Sequence, residues 1–301
     1  MKFSFIVPIY NRREELGELL DSFKKMDFGN LQVEFLVVDD GSTEVLQDLA
    51  EDYGVIYYRK ENGGPAMARN YGAGKASGDY FIFLDSDTLL PQNYLNEVQE
   101  AIVGSKLDAF GGPDRAQKDF TIFQRAVNFS MTSWITTGGL RGNKKFDPRS
   151  FNMGTSKRVF ETLGGFSSMR YGEDIDFSMR IRKGGFKIGY IEKAFVYHKR
   201  RGDSKSFFRQ VFDFGSARPV LNKKYPEGAK FSFWLPSLFV LGVVLALFTP
   251  LYWIYGGYFG LLFIISSAKT KNILVGLVSI WTTLIQFFGY GLGFISSQIK
   301  G

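Results

Sequence analysis

An α/β domain built on a mostly parallel central sheet, flanked by helices and followed by a helical transmembrane tail, is the architecture that this 301-residue chain predicts. Three observations predict it. Apolar runs rich in aromatic and β-branched residues alternate with amphipathic stretches from Phe3 to about Lys199, the pattern of βα units in a parallel sheet. One run, Tyr80 to Leu84, is bounded by Gly78 and ends abruptly in Asp85-Ser86-Asp87, as central strands do where open sheets place their ligands. From about Phe231 to Ser297 charge nearly vanishes, with only Lys269 and Lys271 interrupting.

The elements follow in order. Phe3 to Ile9 reads as a first strand stopped by Pro8 and Asn11, and Glu14 to Met26 spaces Leu16, Leu19, Leu20, Phe23 and Met26 as one face of a helix. Val33 to Val38 is a second strand ending in Asp39-Asp40-Gly41-Ser42, Thr43 to Asp52 a helix, Val55 to Tyr58 a short strand. Ala66 to Lys75 is a helix after the Gly63-Gly64-Pro65 turn, and the strand before Asp85 comes next. Beyond Pro91 a helix reaches about Val103, Lys106 to Phe110 is a strand, and Phe120 to Ile135 a helix with an apolar face. Thr136 to Phe146, rich in glycine and lysine, reads as a mobile loop. Phe151 to Thr155 predicts a strand, Lys157 to Leu163 and Glu173 to Arg182 helices, and Lys187 to Tyr190 and Ala194 to His198 the last two strands.

This organises the chain into an α/β domain over 1–203, an amphipathic interfacial segment over 204–230 and a membrane region over 231–301. In the interfacial segment Phe207, Phe208, Val211, Phe212 and Phe214 lie among lysines and arginines, on a helix expected to be interrupted near Gly215 and Pro219. Three apolar stretches, about 231–248, 251–268 and 273–295, are each about long enough to cross a bilayer, the first two folded back at Thr249-Pro250. Basic residues crowd just before them, so the positive-inside bias places the α/β domain in the cytoplasm, on a multi-pass inner-membrane protein whose basic face meets anionic lipids. The N-terminal apolar run is too short for an export signal.

Composition narrows the chemistry. The chain has no cysteine, which excludes disulfides, thiolate metal sites and thiol nucleophiles. Its net charge of +7 comes without an aromatic-interleaved basic motif, so no nucleic acid is expected as partner. The absence of G-x-G-x-x-G and of a G-K-[ST] loop excludes the dinucleotide and nucleoside-triphosphatase fingerprints. Side chains two apart on extended backbone share a face, so Asp85 and Asp87 can converge on one cation or sugar-phosphate; the same residues also fit an Asp-rich turn that caps a helix. Tyr10 offers a stacking face or a half-buried wall, and Arg69 meets a diphosphate or supports Asp85 as an ion pair. His198, the only histidine, ends a strand; Glu173-Asp174-Ile175-Asp176 starts a helix whose dipole favours acidic residues.

Taken together, Val7-Pro8-Ile9-Tyr10-Asn11, Val38-Asp39-Asp40-Gly41-Ser42, Asn62-Gly63-Gly64-Pro65-Ala66 with Ala68-Arg69-Asn70, Asp85-Ser86-Asp87 and Gly172-Glu173-Asp174-Ile175-Asp176 come in the order found in family 2 glycosyltransferases, which the chain resembles from about Phe3 to Lys199. The resemblance implies a GT-A nucleotide-diphospho-sugar transferase fold of the membrane-attached, non-processive type. It implies that Pro8, Tyr10, Asn11 and Asp39 hold the nucleoside of a UDP- or GDP-sugar, that Arg69, Asp85 and Ser86 complete the donor site, and that Asp87 and His198 bind Mn²⁺ or Mg²⁺. Asp174 matches the base that deprotonates the acceptor hydroxyl in an inverting transfer, with Glu173 orienting the acceptor or the base; Asp176 is assigned to structure. The segment Phe208 to Gly215 lacks the tryptophan motif of processive members. The implied reaction adds one sugar to a hydroxyl of a lipid-linked or glycolipid acceptor. A polyprenyl-phosphate sugar synthase, whose acceptor is the carrier phosphate, and a non-catalytic membrane scaffold are the alternatives.

Overall fold

The computed structural model describes residues 1–116, 120–137 and 147–300. The chain divides into two compact units, one comprising Met1–Arg115 and Lys145–Lys199, the other Ala116–Lys144 and Arg200–Gly301.

The first unit is organised by a seven-stranded sheet in the order β3-β2-β1-β4-β8-β6-β9. Its strands are β1 (Lys2–Ile9), β2 (Gln32–Asp39), β3 (Ile56–Arg59), β4 (Tyr80–Leu84), β6 (Ala109–Gly111), β8 (Asn152–Ser156) and β9 (Ile188–Tyr190). β8 alone runs antiparallel to its neighbours β4 and β6; the other pairs are parallel. A second, three-stranded sheet in the order β5-β10-β7 joins β5 (Thr88–Leu89), β7 (Asp114–Arg115) and β10 (Val196–His198). The helices are α1 (Arg13–Lys24), α2 (Gln47–Tyr53), α3 (Pro65–Lys75), α4 (Tyr94–Ser105), α7 (Lys157–Leu163) and α8 (Glu173–Lys183).

β1 is buried from Phe3 to Ile9 because helices cover both faces of the sheet. Phe5, Val37, Ile82 and Leu84 pack with Leu16, Leu19, Leu20 and Tyr94 on one face. Ile6, Leu36, Phe81 and Phe83, one residue out of phase, pack with Phe160, Phe166 and Phe177 on the other. At the N-terminal edge of β1, β2 and β4, Glu34 accepts hydrogen bonds from the Ser4 hydroxyl (2.5 Å), the Ser77 amide (2.6 Å) and the Ser77 hydroxyl (2.7 Å) and pairs with Lys2 at 3.1 Å. Burial works to raise the Glu34 pKa, yet these partners bring it down to about 2.

The second unit is helical: α5 (Ile122–Thr132), α6 (Trp134–Thr137), α9 (Ser204–Lys224), α10 (Leu235–Ala246), α11 (Tyr252–Thr270) and α12 (Ile273–Lys300). The long helix expected over 120–135 breaks at Ser133, whose backbone is extended, and residues 138–146 of the expected mobile loop lie outside the described residues. Where an interruption is expected, α9 instead runs continuously through Gly215 and buried Pro219. Packing explains it: a Cβ on Gly215 would lie 2.1 Å from the Tyr290 carbonyl oxygen, and one on Gly293 the same distance from that of Phe212, so glycines let α9 and α12 approach backbone to backbone. Val127 and Met131 of α5, Phe207 and Val211 of α9 and Ile285 of α12 form the core of this unit. Ser130 of α5 bonds to Thr282 (2.7 Å) and Thr283 (3.0 Å) of α12.

Of the three expected crossings, α12 is the one helix among the described residues long and apolar enough to span a membrane; the stretch Phe231–Ala246 is apolar but shorter. Large apolar side chains on and between these helices nonetheless stay exposed, among them Leu247 (75%) and Phe248 (83%) in the turn after α10, Trp253 (74%) and Ile273 (66%).

Candidate active site

The functional candidates gather at the C-terminal ends of β1, β2 and β4, where the chain leaves the sheet. Past β4 the backbone turns sharply, with the Thr88 hydroxyl and amide both bonded to the Asp85 carbonyl (2.7 and 3.2 Å) and Ser86 buried in the turn. β5 then pairs antiparallel with β10, His198 opposite Thr88, and the Lys199 amide bonds to the Asp87 carbonyl at 3.1 Å. This small sheet brings His198 onto the acidic turn: its Nε2 lies 3.0 Å from Asp87 Oδ1.

Asp85, Asp87 and His198 each offer a ligand atom, all within 4.8 Å of one another. Ligands around a cation of about 2.1 Å bond length lie up to roughly 4.2 Å apart, so the three residues fit one divalent ion after small rotations. His198 stacks on Phe151 with ring centroids 5.2 Å apart, which holds the ring in this orientation. Among the described residues its Nδ1 is buried without a hydrogen-bond partner, so they supply no acceptor of the kind that usually fixes a ligating imidazole from behind.

Two arginines meet these carboxylates. Arg12 Nη1 lies 2.7 Å from Asp87 Oδ2. Burial works to lower the Arg12 pKa, but Asp87 holds it above its ordinary value. Arg69, on α3 and 2% exposed, bridges Asp85 Oδ1 (2.5 Å) and Glu173 Oε1 (3.0 Å). The structure thus places Arg69 as a buried link between the aspartates and the start of α8, with its terminal nitrogens already engaged by protein. Gly172, in the left-handed region at φ 78°, turns the chain into α8 and presents Glu173 and Asp174 there. Burial, together with the neighbouring Asp174 charge, outweighs the shared Arg69 and pushes Glu173 well above the carboxylate range. Asp174 Oδ2 has the Ser150 amide at 3.4 Å and Arg149 Nη1 at 3.8 Å. Asp176 is wholly buried on Arg180 at 2.9 Å, a structural pair.

The loops after β1 and β2 form the other side. Tyr10 is half exposed and Pro8 is buried in β1. Asn11 has φ 52°, and its side-chain oxygen accepts from the Thr43 amide (2.8 Å) and hydroxyl (3.0 Å), so it ties one loop to the other. Asp39 is wholly buried: Oδ1 accepts from the Ser42 amide at 2.8 Å and Oδ2 from the Tyr57 hydroxyl at 2.6 Å. Burial and that bond push Tyr57 up to about 12. Asp40 accepts from the Gly63 and Gly64 amides (3.0 and 2.7 Å) and from Lys60 (2.6 Å), so the glycine turn is held by a carboxylate.

The structure brings the expected metal ligands Asp87 and His198 next to Asp85, and Arg69 links Asp85 to Glu173, beside which Asp174 stands; Pro8, Tyr10, Asn11 and Asp39 lie on the loops and strand ends of the other side. Sequence reasoning passed over Arg12, Arg149 and Phe151, which carry no motif of their own; the position of Arg12, directly after Asn11 and at the start of α1, was the available signal.

A parallel sheet with one reversed strand, an acidic turn at its C-terminal edge and a second carboxylate pair linked to it by a buried arginine define a GT-A-type transferase. The sequence pattern of the family described as "Glycosyl transferase family 2" matches residues 4–164, and the chain belongs to that family. Glycosyltransferase GlyG of Streptococcus pneumoniae serotype 4 is 26% identical over 235 residues, 72% of this chain and 76% of GlyG. Glycosyltransferase GlyA of the same organism is 37% identical over 112 residues, 36% of this chain but 16% of GlyA's length. Among solved structures, the mannosyltransferase PcManGT from Pyrobaculum calidifontis, in complex with GDP-Man and Mn²⁺, superposes with a TM-score of 0.66 at 16% identity, covering 97% of this chain and 86% of that one. At that identity the likeness shows the shared fold.

Proposed function

We propose that this protein transfers one sugar, with inversion and with a divalent cation, from a nucleotide-diphosphate sugar to a hydroxyl of a lipid-linked or glycolipid acceptor at the cytoplasmic face of a membrane. The observation that carries the reading is the convergence of Asp85, Asp87 and His198, with ligand atoms within 4.8 Å, joined through Arg69 to Glu173 beside Asp174. Asp87 and His198 are the direct ligands and Asp85 the donor-side partner. A divalent cation held by Asp87 and His198, Mn²⁺ or Mg²⁺, would supply positive charge beside the leaving diphosphate in place of a separate acid. His198 is the weaker ligand, because coordination through Nε2 leaves an Nδ1–H buried without an acceptor among the described residues.

Tyr10 presents the stacking face for a uracil or guanine base. Asp39 and Asn11 shape that pocket from beneath by fixing Tyr57 and the turn around Ser42. Asp174 takes the acceptor proton; Glu173, neutral more readily than an ordinary carboxyl, positions the acceptor. GDP-Man and Mn²⁺ bound to PcManGT support a donor and cation of this class.

Membrane attachment is supported by α12, whose 28 residues give about 42 Å of helix against roughly 30 Å of hydrocarbon, and by the exposed Ile273, Leu277 and Trp281 spaced along one side of it. A patch of this size on a water-soluble surface is a liability and on a lipid surface an anchor. The test is nucleotide release from UDP- and GDP-sugars by the full chain in membranes carrying native lipids. Release from one donor, dependent on added acceptor lipid and lost in a chelator, is expected. Chelator-insensitive release, or none with any donor, overturns the reading.

A further inference from the structure

Asp87 is 6% exposed, and its two carboxylate oxygens are already divided between a ring nitrogen of His198 and a guanidinium nitrogen of Arg12. A divalent ion bound to Oδ2 would sit within a few ångström of that guanidinium, and the two cations would repel. The two arginines of the site differ in how tightly they are held. Arg69 is clamped by two carboxylates with its side chain 3% exposed, whereas the Arg12 side chain is 32% exposed, and Asp87 is the one carboxylate with which the described structure pairs it. Arg12 therefore has a path to solvent that Arg69 lacks. It also stands in the loop that carries Tyr10, at the start of α1.

We propose that Arg12 is a resident counter-ion of the acidic turn: it competes with the divalent cation for Asp87 and, once displaced, pairs with the diphosphate of the donor. The inference rests on the reading of Asp87 as a cation ligand. It gives the buried Asp87 carboxyl a cationic partner in Arg12, and it makes cation and donor bind in concert, because the ion frees the guanidinium that the donor uses.

The experiment is calorimetric titration of the purified full chain with Mn²⁺ alone, and then with UDP and GDP at saturating Mn²⁺, for the wild type, Arg12→Met, Arg12→Lys and Asp87→Ala. Arg12→Met is expected to bind Mn²⁺ alone about tenfold tighter and the preferred nucleoside diphosphate about tenfold weaker, the effect of one charged hydrogen bond lost on each side. Arg12→Lys, which keeps the charge without the planar fork, is expected between the two and guards against a folding defect in the methionine variant. Equal or weaker Mn²⁺ binding by Arg12→Met overturns the inference, since a guanidinium that merely orients Asp87 would help the ion. If Asp87→Ala binds Mn²⁺ as the wild type does, the cation site itself is wrong; if Asp87→Ala loses Mn²⁺ while Arg12→Met gains nothing, the role of Arg12 alone fails.

Discussion

Asp174 occupies the second position of α8, and apart from the amides of its own turn its polar partners among the described residues are the Ser150 amide and the Arg149 guanidinium, both at the outer limit of contact. A carboxylate so loosely held keeps a lone pair for an incoming hydroxyl, whereas Asp176 two residues on is consumed by Arg180. Asp174→Asn is therefore expected to lower turnover by roughly 10²–10⁴-fold and leave the nucleotide-sugar Kd nearly unchanged. Turnover and donor affinity measured on one preparation check this. A variant keeping more than about a tenth of wild-type turnover would assign Asp174 to the acidic first turn of α8, where the helix dipole favours its charge, and move the base to Glu173. Glu173→Gln is expected to act differently, raising the acceptor KM more than it lowers kcat, because its charge is shared with Arg69 and Asp85.

The strand ends were legible because apolar runs finish where polar residues begin, and Asp39 and Asp85 lie at such boundaries, whereas the Glu173-Asp174 pair was marked by acidic residues opening a helix after Gly172. What was not legible is pairing between elements too short to leave a pattern: β5 has two residues and β10 three, yet their register alone sets His198 on Asp87 across 111 residues of sequence. The attachment of Tyr57 to Asp39, and of Arg69 to two carboxylates at once, depend likewise on tertiary distance. Two elements offer direct tests. Glu34 pins the starts of β1, β2 and β4, and its pKa is depressed from 4.5 to about 2, so its contribution is complete above pH 4.5 and lost as pH falls toward 2. Glu34→Gln should reduce stability at neutral pH by about 1 kcal/mol once solvent screening is discounted, lowering the melting temperature, and flatten the acid limb of the stability profile. An unchanged acid limb would show that the clip is dispensable. For the α9–α12 contact, Gly215→Val should cost about 1–3 kcal/mol or more by driving the helices apart, whereas Gly17→Ala, in α1 with open space around the new methyl, should stabilise by about 0.5–1 kcal/mol. Thermal melts of both variants check the pair.

At the level of the whole molecule, the helical unit is built from two distant pieces of chain, 116–144 and 200–301. A cut after Lys230, the boundary that the hydropathy pattern proposes, would leave Val127, Met131, Phe207 and Val211 without Ile285 and the rest of α12. The truncated chain is expected to aggregate or to need detergent, despite losing its most apolar segment, and size-exclusion chromatography reads the outcome directly. A monodisperse truncated protein in plain buffer would mean that α5 and α9 close on each other unaided. The same arrangement imposes a waiting time on biosynthesis. Ser130 and its partner Thr282 are 152 residues apart, so at roughly 5–20 residues per second the apolar face of α5 leaves the ribosome on the order of ten to thirty seconds before the helix that covers it exists. Over that interval the nascent chain is a client for a chaperone, or for the bilayer itself, and slowing the ribosome between the codons for α5 and those for α12 should lengthen its exposure without altering the folded product.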